Sequence, residues 1–339
     1  MIGVTGAEPL SGLEVTRLSV HAQQGTVKTL LVDDVSFAAP AGQTVGIVGE
    51  TGAGKTLTVR AVAGLLPLRV HATGHLRIGP DAEADLDSES AMARIRGKKV
   101  GIVLQNPIAM FDPLMRIGRQ IIEGVVLRKL YSADRAIERA AALFASLGLS
   151  ELVLDLYPHQ LSGGMSQRAA IAMALMSRPS VLVADEPTTA LDANLRLEVL
   201  SLLGLVARDF DTSVILVSHD LGLVSHVCDT VVVMYAGRIL EEGPTQDVLR
   251  TPQHPYTAAL LSSSTTLDAT PRRRLSVIPG QPPEPTDWPA ACVFEPRCRH
   301  RFDLCAARRP VLHVDGSHAA ACHLAFGAPA GFREDVERR

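Results

Sequence analysis

The residues best placed to do chemistry form one glycine-rich stretch near the start of the chain. In order they are Gly49, Glu50, Thr51, Gly52, Ala53, Gly54, Lys55 and Thr56. Glycines at these spacings let backbone N–H groups close around phosphate oxygens. We expect Lys55 to reach the terminal phosphates of a nucleotide and Thr56 to bind its Mg²⁺. A chance glycine turn is the alternative.

A pair of carboxylates supplies the other half of this chemistry. Asp185 and Glu186 directly follow an apolar run, Val181–Ala184, which is typical of a buried strand. Ligands of α/β proteins bind at the carboxyl ends of the strands, so both side chains should reach the phosphate site. We expect Asp185 to bind Mg²⁺. We expect Glu186 to act on the attacking water, as a general base or by orienting it.

The elements that must position these residues indicate an α/β domain. Thr44–Val48 predicts a strand that enters the glycine loop, and Leu57–Leu66 predicts the helix that leaves it. Other patterns predict strands at Leu13–Val20, Thr29–Phe37, Ser180–Ala184, Ser213–Val217 and Thr230–Met234, with helices at Asn194–Arg208 and Leu221–Val227. Strands that alternate with helices favour a largely parallel sheet.

Length and composition bound the organisation of the chain. Its 339 residues exceed one average domain, and 47% hydrophobic with 20% charged residues is the balance of a globular protein. We predict a nucleotide-binding domain at 1–265, with a helical subdomain at about 107–179. The prolines beyond it predict a linker and a small irregular extension at 266–339.

Charge and hydropathy exclude two classes of protein. The net charge of −3 gives no attraction to nucleic acid, so no nucleic-acid partner is expected. No run approaches the roughly 18 apolar residues that a membrane-spanning helix needs. We therefore expect a chain in the cytosol that acts on a membrane only by docking.

The segment between the two motifs points to a particular family. Leu161–Arg168, with the sequence Leu-Ser-Gly-Gly-Met-Ser-Gln-Arg, resembles the signature of ATP-binding cassette (ABC) proteins. The resemblance implies a P-loop NTPase of the ABC cassette type, with a RecA-like α/β core, an N-terminal antiparallel β part and a helical subdomain. It also implies that two subunits build each site, the signature closing over ATP held by the partner. The signature residues assigned to this contact are Ser162, Gly163, Gly164 and Gln167.

Three further motifs occur in the order that the family has them. The resemblance identifies Gln105 as the Q-loop residue, catalytic and Mg²⁺-binding, Asp192 as the D-loop residue at the nucleotide, and His219 as the catalytic switch histidine. ATP and Mg²⁺ are the implied cofactors. The family usually stacks adenine on an aromatic residue upstream of the glycine loop, whereas Val20–Leu31 contains none. His21 or an apolar side chain is expected to substitute.

Several stretches are similar to the ATPase subunits of the dipeptide, oligopeptide and nickel importer group. They are Tyr157–Gln160, Met234–Arg238, Glu241–Pro244 and His254–Leu261. The resemblance implies an ATP-hydrolysing subunit that powers peptide uptake across the cytoplasmic membrane. The subunit itself is implied to lie peripherally at the cytoplasmic face of that membrane. The alternatives are a motor for nickel or another small solute and a soluble, non-transport ABC ATPase.

The same resemblance implies a set of partners. They are a second ABC ATPase subunit, identical or a sibling, two transmembrane permease subunits and an external solute-binding protein that acts through the permeases. Asn106–Pro107 and Phe111–Leu114 are expected to lie in the groove that receives the permeases. Ordinary helix packing is the alternative for these residues.

Four of the five cysteines lie in the final stretch: Cys292, Cys298, Cys305 and Cys322. Four thiolates could hold a [4Fe-4S] cluster or a tetrahedral Zn²⁺. The spacing differs from the paired C-x-x-C of ordinary zinc sites, and similar tails in the importer group favour the cluster. Free thiols are the remaining alternative, and the fifth cysteine, Cys228, is expected to be a buried core thiol. Candidate alternative ligands are His300, His313, His318 and His323.

Overall fold

The computed structural model of the protein describes residues 12–188, 193–263 and 278–325. The strands are β1 (Gly12–Gln24), β2 (Val27–Pro40), β3 (Thr44–Val48), β4 (Val70–Ile78), β5 (Ala82–Asp85), β6 (Val100–Val103), β7 (Val181–Asp185), β8 (Ser213–Ser218), β9 (Thr230–Tyr235), β10 (Arg238–Pro244), β11 (His313–Asp315) and β12 (His318–Ala320). The helices are α1 (Lys55–Ala63), α2 (Glu89–Ile95), α3 (Ile117–Leu127), α4 (Ala133–Ser146), α5 (Gly163–Leu175), α6 (Ala193–Phe210), α7 (Leu221–Val224), α8 (Thr245–Arg250), α9 (Pro255–Ser263) and α10 (Asp303–Ala307). Short 3-10 helices lie at Ile108–Met110, Glu151–Asp155, Pro158–Gln160, Pro285–Asp287 and Glu295–Arg297.

The larger sheet has eight strands in the order β11-β12-β10-β9-β3-β8-β7-β6. Its five strands from β9 to β6 run parallel, and β10 returns antiparallel to β9. Every residue of β3, β7 and β8 is buried, as expected for parallel strands covered on both faces. The predicted α/β fold is confirmed. The order places the ends of β6, β7, β8 and β3 side by side.

The N-terminal antiparallel part is a second sheet in the order β2-β1-β4-β5. Its buried side chains, among them Leu18 and Leu76, share one core with Ile47 of β3 and Val62 of α1. Both predicted N-terminal strands are present and longer than expected. Strands β4 and β5 were not predicted, because β4 contains polar residues and a glycine and therefore lacks a clear strand pattern. Its conformation is set by pairing with β1.

The helical subdomain is built from α3, α4 and α5. One face of α3 buries Ile117, Ile121 and Val125 in a core that also holds Phe144 of α4. Ser132 caps α4, where its Oγ accepts a hydrogen bond from a backbone N–H one turn later. No helix of the described residues is long and apolar enough to cross a membrane.

The C-terminal extension joins the larger sheet. Strand β12 pairs with β10 through Glu241↔Ala320 and Glu242↔Ala319, and β11 pairs with β12. The expectation of an irregular module missed these two strands, which are only three residues long and take their conformation from the sheet edge they complete. The predicted domain boundary at 265/266 lies in 264–277, outside the described residues.

Candidate nucleotide site

The phosphate loop connects β3 to α1 along a path that favours glycine. Gly49 has a φ of 150°, and a Cβ there would lie 2.1 Å from the backbone oxygen of Met234. Gly54 has a φ of 98°, in the left-handed region, directly before α1 begins. This path leads the loop into the N-terminus of α1, whose free N–H groups and helix dipole favour a bound phosphate.

Lys55 lies inside this loop with only 4% of its surface exposed. Its Nζ donates hydrogen bonds to the backbone oxygens of Gly49 at 2.8 Å and Glu50 at 3.0 Å. Burial lowers the pKa of Lys55, and the nearby charges of Glu186, Asp185 and Glu50 oppose that shift. The ammonium can exchange these carbonyl partners for phosphate oxygens without leaving the loop.

Thr56 and Asp185 form the candidate Mg²⁺ site. The Thr56 hydroxyl donates to Oδ1 of Asp185 at 3.0 Å, and Nε of Arg60 lies 3.8 Å from Oδ2. Burial raises the pKa of Asp185, against the hydrogen bond from Thr56 and the charge of Arg60. Neighbouring ligands in an octahedron at about 2.1 Å from Mg²⁺ are about 3 Å apart, so this oxygen pair fits that ion.

Glu186 lies where three parallel strands end. Its carboxylate accepts a hydrogen bond from Nε2 of Gln105 at 3.3 Å, just beyond β6, and lies 3.7 Å from Nδ1 of His219, just beyond β8. Its φ of 49° is left-handed, and its N–H donates to the backbone oxygen of Val217 at 3.1 Å. A non-glycine residue held in this region is strained, and such strain clusters at functional sites.

The signature residues lie at the start of α5. Ser162 caps the helix, its Oγ accepting a hydrogen bond from the N–H of Met165 at 3.3 Å. Ser162 and Gly163 are exposed, whereas Gly164 and Gln167 are buried. The amide of Gln167 has no hydrogen-bond partner among the described residues. A nucleotide contact by Gln167, which stays a prediction, would require the side chains around it to move.

Asp192 and His21 are the two remaining residues predicted to contact the nucleotide. Asp192 of the D-loop lies outside the described residues. His21 is half-buried on β1, opposite Leu30 of β2 and His71 of β4, and burial lowers its pKa. Its contact with adenine therefore stays a prediction.

The four C-terminal cysteines occupy one part of the extension. Cys292 and Cys305 are buried, with the N–H of Cys292 donating to the backbone oxygen of Cys305 at 3.1 Å. Burial, reinforced by the neighbouring thiols, raises the pKa of Cys298 to about 11 and that of Cys322 to about 12. Among the described residues, no three His, Cys, Asp or Glu side chains are grouped to hold a metal ion. The four-cysteine metal site stays a prediction, which these side-chain positions do not support. Cys228 is buried, as expected.

Two of the alternative histidine ligands are engaged elsewhere. Nε2 of His318 forms a 2.7 Å hydrogen bond with Oε1 of Glu241, which is fully buried. Nε2 of His323 lies 2.9 Å from the backbone oxygen of Arg308. Both rings stabilise the extension itself, which disfavours them as metal ligands.

Residues from outside the motifs also contact the phosphate loop. Arg297 of the extension forms an ion pair with Glu50, with Nη1 2.6 Å from Oε2. The hydroxyl of Tyr256 on α9 accepts a hydrogen bond from the N–H of Glu50 at 2.8 Å. Neither role was predicted, because no local sequence pattern around Arg297 or Tyr256 indicates a partner more than 200 residues away.

Comparison with known proteins identifies the family. Residues 32–189 match the family model described as ABC transporter, and residues 240–305 match the one described as oligopeptide/dipeptide transporter, C-terminal region. The oligopeptide transport ATP-binding protein OppD of Escherichia coli K12 is 37% identical over 318 residues, which is 93% of both chains. OppD of Salmonella typhimurium is 38% identical over 312 residues, covering 91% of this chain and 92% of its own.

Solved structures agree with this assignment. The structure of cbiO1 from Clostridium perfringens, described as part of the ABC transporter complex cbiONQ, is 26% identical with a TM-score of 0.62, covering 72% of this chain and 92% of its own. The ATP-binding cassette MJ0796, solved as a dimer with ADP and phosphate, is 24% identical with a TM-score of 0.59 and supports the fold alone. It covers 69% of this chain and 98% of its own. An ABC ATPase fold implies binding of a nucleotide with Mg²⁺. The chain belongs to the ABC transporter ATPases, in the group that carries the oligopeptide/dipeptide transporter C-terminal region.

Proposed function

We propose that this chain is the ATP-hydrolysing subunit of an ABC importer that drives peptide uptake across the cytoplasmic membrane. The observation that carries the proposal is the convergence of Glu186, Gln105 and His219 beside a phosphate loop whose Thr56 bonds to Asp185. Peptide as cargo is supported by the relatives named as oligopeptide transport proteins and by the matching C-terminal region.

Each residue of the site has a distinct task in the proposed reaction. Lys55 and the N-terminus of α1 bind the β and γ phosphates of ATP, and Thr56 with Asp185 holds Mg²⁺, which neutralises phosphate charge when bound. The oxygen of a water molecule attacks the γ phosphorus while the bond to the β,γ-bridging oxygen breaks. Glu186 takes the proton of that water or orients it, with Gln105 and His219 fixing the carboxylate.

A complete site requires a second ATPase subunit, self or sibling, that presents the exposed Ser162 and Gly163 to this nucleotide. Two transmembrane permeases would dock on the helical subdomain, and an external solute-binding protein would deliver cargo to them. Leu114, 84% exposed, and its neighbour Ile108, 47% exposed, support a docking role for part of this segment, whereas Phe111 is buried in the core, as ordinary packing predicts. Such docking would hold the chain peripherally at the cytoplasmic face.

ATP hydrolysis by the purified chain, alone and assembled with candidate sibling and permease subunits, tests the proposal. We expect hydrolysis to rise on assembly and to disappear with Glu186→Gln. Uptake of labelled peptides and of ⁶³Ni²⁺ by the same complex in sealed vesicles separates the two cargo classes. Hydrolysis that is indifferent to permeases would indicate a soluble ABC ATPase, and uptake of nickel alone would replace peptide as the cargo.

We also propose the four cysteines as the ligand set of a [4Fe-4S] cluster, with Zn²⁺ and free thiols as the other outcomes. Their gathering in one part of the extension supports this, whereas their present spacing does not. Iron, acid-labile sulfide and zinc are measured in chain purified without oxygen, with Cys298→Ser as the comparison. Four irons and four sulfides per chain would support the cluster. If neither iron nor zinc is found, the four cysteines are free thiols.

A further inference from the structure

The ion pair between the extension and the phosphate loop is bidentate. Nη1 of Arg297 lies 2.6 Å from Oε2 of Glu50, and Nη2 lies 3.1 Å from Oε1. The Arg297 side chain is only 5% exposed, so water screens the pair weakly. Arg297 ends the 3-10 helix between Cys292 and Cys298, and Glu50 is the second residue of the phosphate loop. The cysteine-bearing extension thus reaches directly into the nucleotide site.

Other contacts hold the Arg297 guanidinium in place independently of Glu50. It donates to the backbone oxygens of Ile278, Pro279 and Gly280 and to the hydroxyl of Tyr235. The Tyr235 ring lies beneath it, with 5.7 Å from the guanidinium carbon to the ring centroid. Because so many donors are satisfied, the positive charge has a fixed position rather than a choice of partners.

Charge explains why this position matters. Glu50 is an acidic residue within a loop that must bind the negatively charged phosphates of ATP. An unpaired carboxylate there would repel the phosphates and compete for the ammonium of Lys55, which donates to the Glu50 backbone oxygen at 3.0 Å. Arg297 cancels that charge. The N–H of Glu50, bound to Tyr256, fixes the same residue from its backbone side.

We propose that Arg297 is a positioning residue of the nucleotide site, which neutralises Glu50 so that the C-terminal extension sets the affinity of the phosphate loop for MgATP. This inference rests on the proposed phosphate-binding role of Gly49–Thr56. It assigns the extension a part in the ATPase cycle in addition to its part in the sheet.

The test is a charge series measured by titration calorimetry of MgATP with the full-length chain. Arg297→Gln leaves one unbalanced negative charge and is expected to raise Kd about tenfold. Glu50→Gln leaves one unbalanced positive charge and is expected to bind at least as tightly as the wild type. The double variant E50Q/R297Q restores neutrality and should return Kd to within about threefold of wild type.

Arg309→Gln is the matched control, because Arg309 also belongs to the extension and pairs with Asp33 rather than with the loop. Its Kd should equal that of the wild type. Melting temperatures of all variants are also recorded. If the ion pair had a purely structural role, Glu50→Gln and the double variant would also melt at lower temperature and bind MgATP more weakly. Equal Kd for Arg297→Gln and Arg309→Gln, or no recovery in the double variant, would overturn the inference. If Arg297→Gln does not fold, Glu50→Gln alone tests the inference. Weaker MgATP binding by Glu50→Gln than by the wild type would then overturn the inference. A wild-type chain that binds no MgATP would instead refute the proposed function.

Discussion

The hydroxyl of Thr56 donates a 3.0 Å hydrogen bond to Oδ1 of Asp185, a residue 129 positions later in the chain. This bond joins the start of α1 to the end of β7 and leaves two oxygens at the separation that one Mg²⁺ accepts. This geometry supports the proposed role of Thr56 and Asp185 as Mg²⁺ ligands.

Asp185→Asn should abolish Mg²⁺-dependent hydrolysis while preserving the fold. The amide keeps the hydrogen bond from Thr56 but loses the charge that a divalent cation requires, so we expect turnover to fall by about 100-fold or more. Turnover is measured across a Mg²⁺ titration, with nucleotide binding measured in EDTA. The exposed Asp209→Asn serves as the charge control. Normal turnover of Asp185→Asn at saturating Mg²⁺ would refute this assignment.

Glu186→Gln should separate binding from hydrolysis. Glutamine can keep the contact with Gln105 but cannot accept a proton, and loss of a general base costs about 100-fold or more in turnover. Nucleotide Kd should stay within about threefold of wild type, because the loop and the Mg²⁺ site are unchanged. Single-turnover hydrolysis and equilibrium binding are the two measurements. A parallel loss of both would mean that Glu186 acts mainly through folding.

Gly237→Ala should loosen the contact between the extension and the cassette. An added Cβ would lie 2.2 Å from the Trp288 ring and 2.8 Å from the backbone oxygen of Leu31. Such overpacking costs about 1–3 kcal/mol of unfolding free energy. The matched control is Gly25→Ala, because Gly25 has a similar positive φ, 62° against 71°, but open space where the Cβ would lie.

Trp288 reports the effect of Gly237→Ala directly, since it is the only tryptophan in the chain. We expect its fluorescence emission to shift to longer wavelength in Gly237→Ala and to stay unchanged in Gly25→Ala. Denaturant unfolding of the same samples gives the free energies. Equal stability and equal emission in both variants would contradict the close packing of Trp288 on Gly237.

Glu242→Gln should change how stability depends on pH. Burial raises the pKa of Glu242 from 4.5 to about 7, so the folded chain holds this proton up to about pH 7. In the unfolded chain the group ionises near its ordinary pKa. The folded state therefore loses stability as pH rises from about 4.5 to 7, by up to about 3 kcal/mol. Glutamine cannot ionise, so the stability of the variant relative to the wild type should increase as pH rises across that interval.

Unfolding free energies at pH 4.5, 6 and 8 check the expectation for Glu242. The exposed Glu284→Gln is the control and should run parallel to the wild type. A constant difference between Glu242→Gln and the wild type over this range would show that Glu242 ionises normally in the folded chain.

The phosphate loop and the two carboxylates of the candidate site could be predicted from sequence, because residues close by in the chain determine their positions. The strand Thr44–Val48, the glycines after it and the helix from Lys55 are consecutive, so backbone geometry alone brings Lys55 and Thr56 into place. Asp185 and Glu186 follow the same logic, because a buried strand delivers its last residues to the sheet edge where the loop lies.

The contacts that the C-terminal extension makes with the rest of the chain could not be predicted, because they depend on how the extension packs in three dimensions. Glu50 and Arg297 are 247 residues apart, and neither has a neighbour that identifies the other as partner. The strand His318–Ala320 is too short for a pattern and becomes a strand through the free edge of β10. The resemblance of the cysteine tail to those of importers suggested a ligand set, but side-chain spacing depends on packing that no sequence motif records.

The hydrogen bond between Glu241 and His318 forms late in synthesis, which affects how long β10 is exposed in the nascent chain. Glu241 is buried and leaves the ribosome 77 residues before its histidine partner. Until then β10 is an open edge that presents unpaired backbone groups and a carboxylate without its ring contact. A nascent chain that stalls in this interval can pair through β10 with strands of other chains, and that risk ends once β12 has been made and pairs with β10.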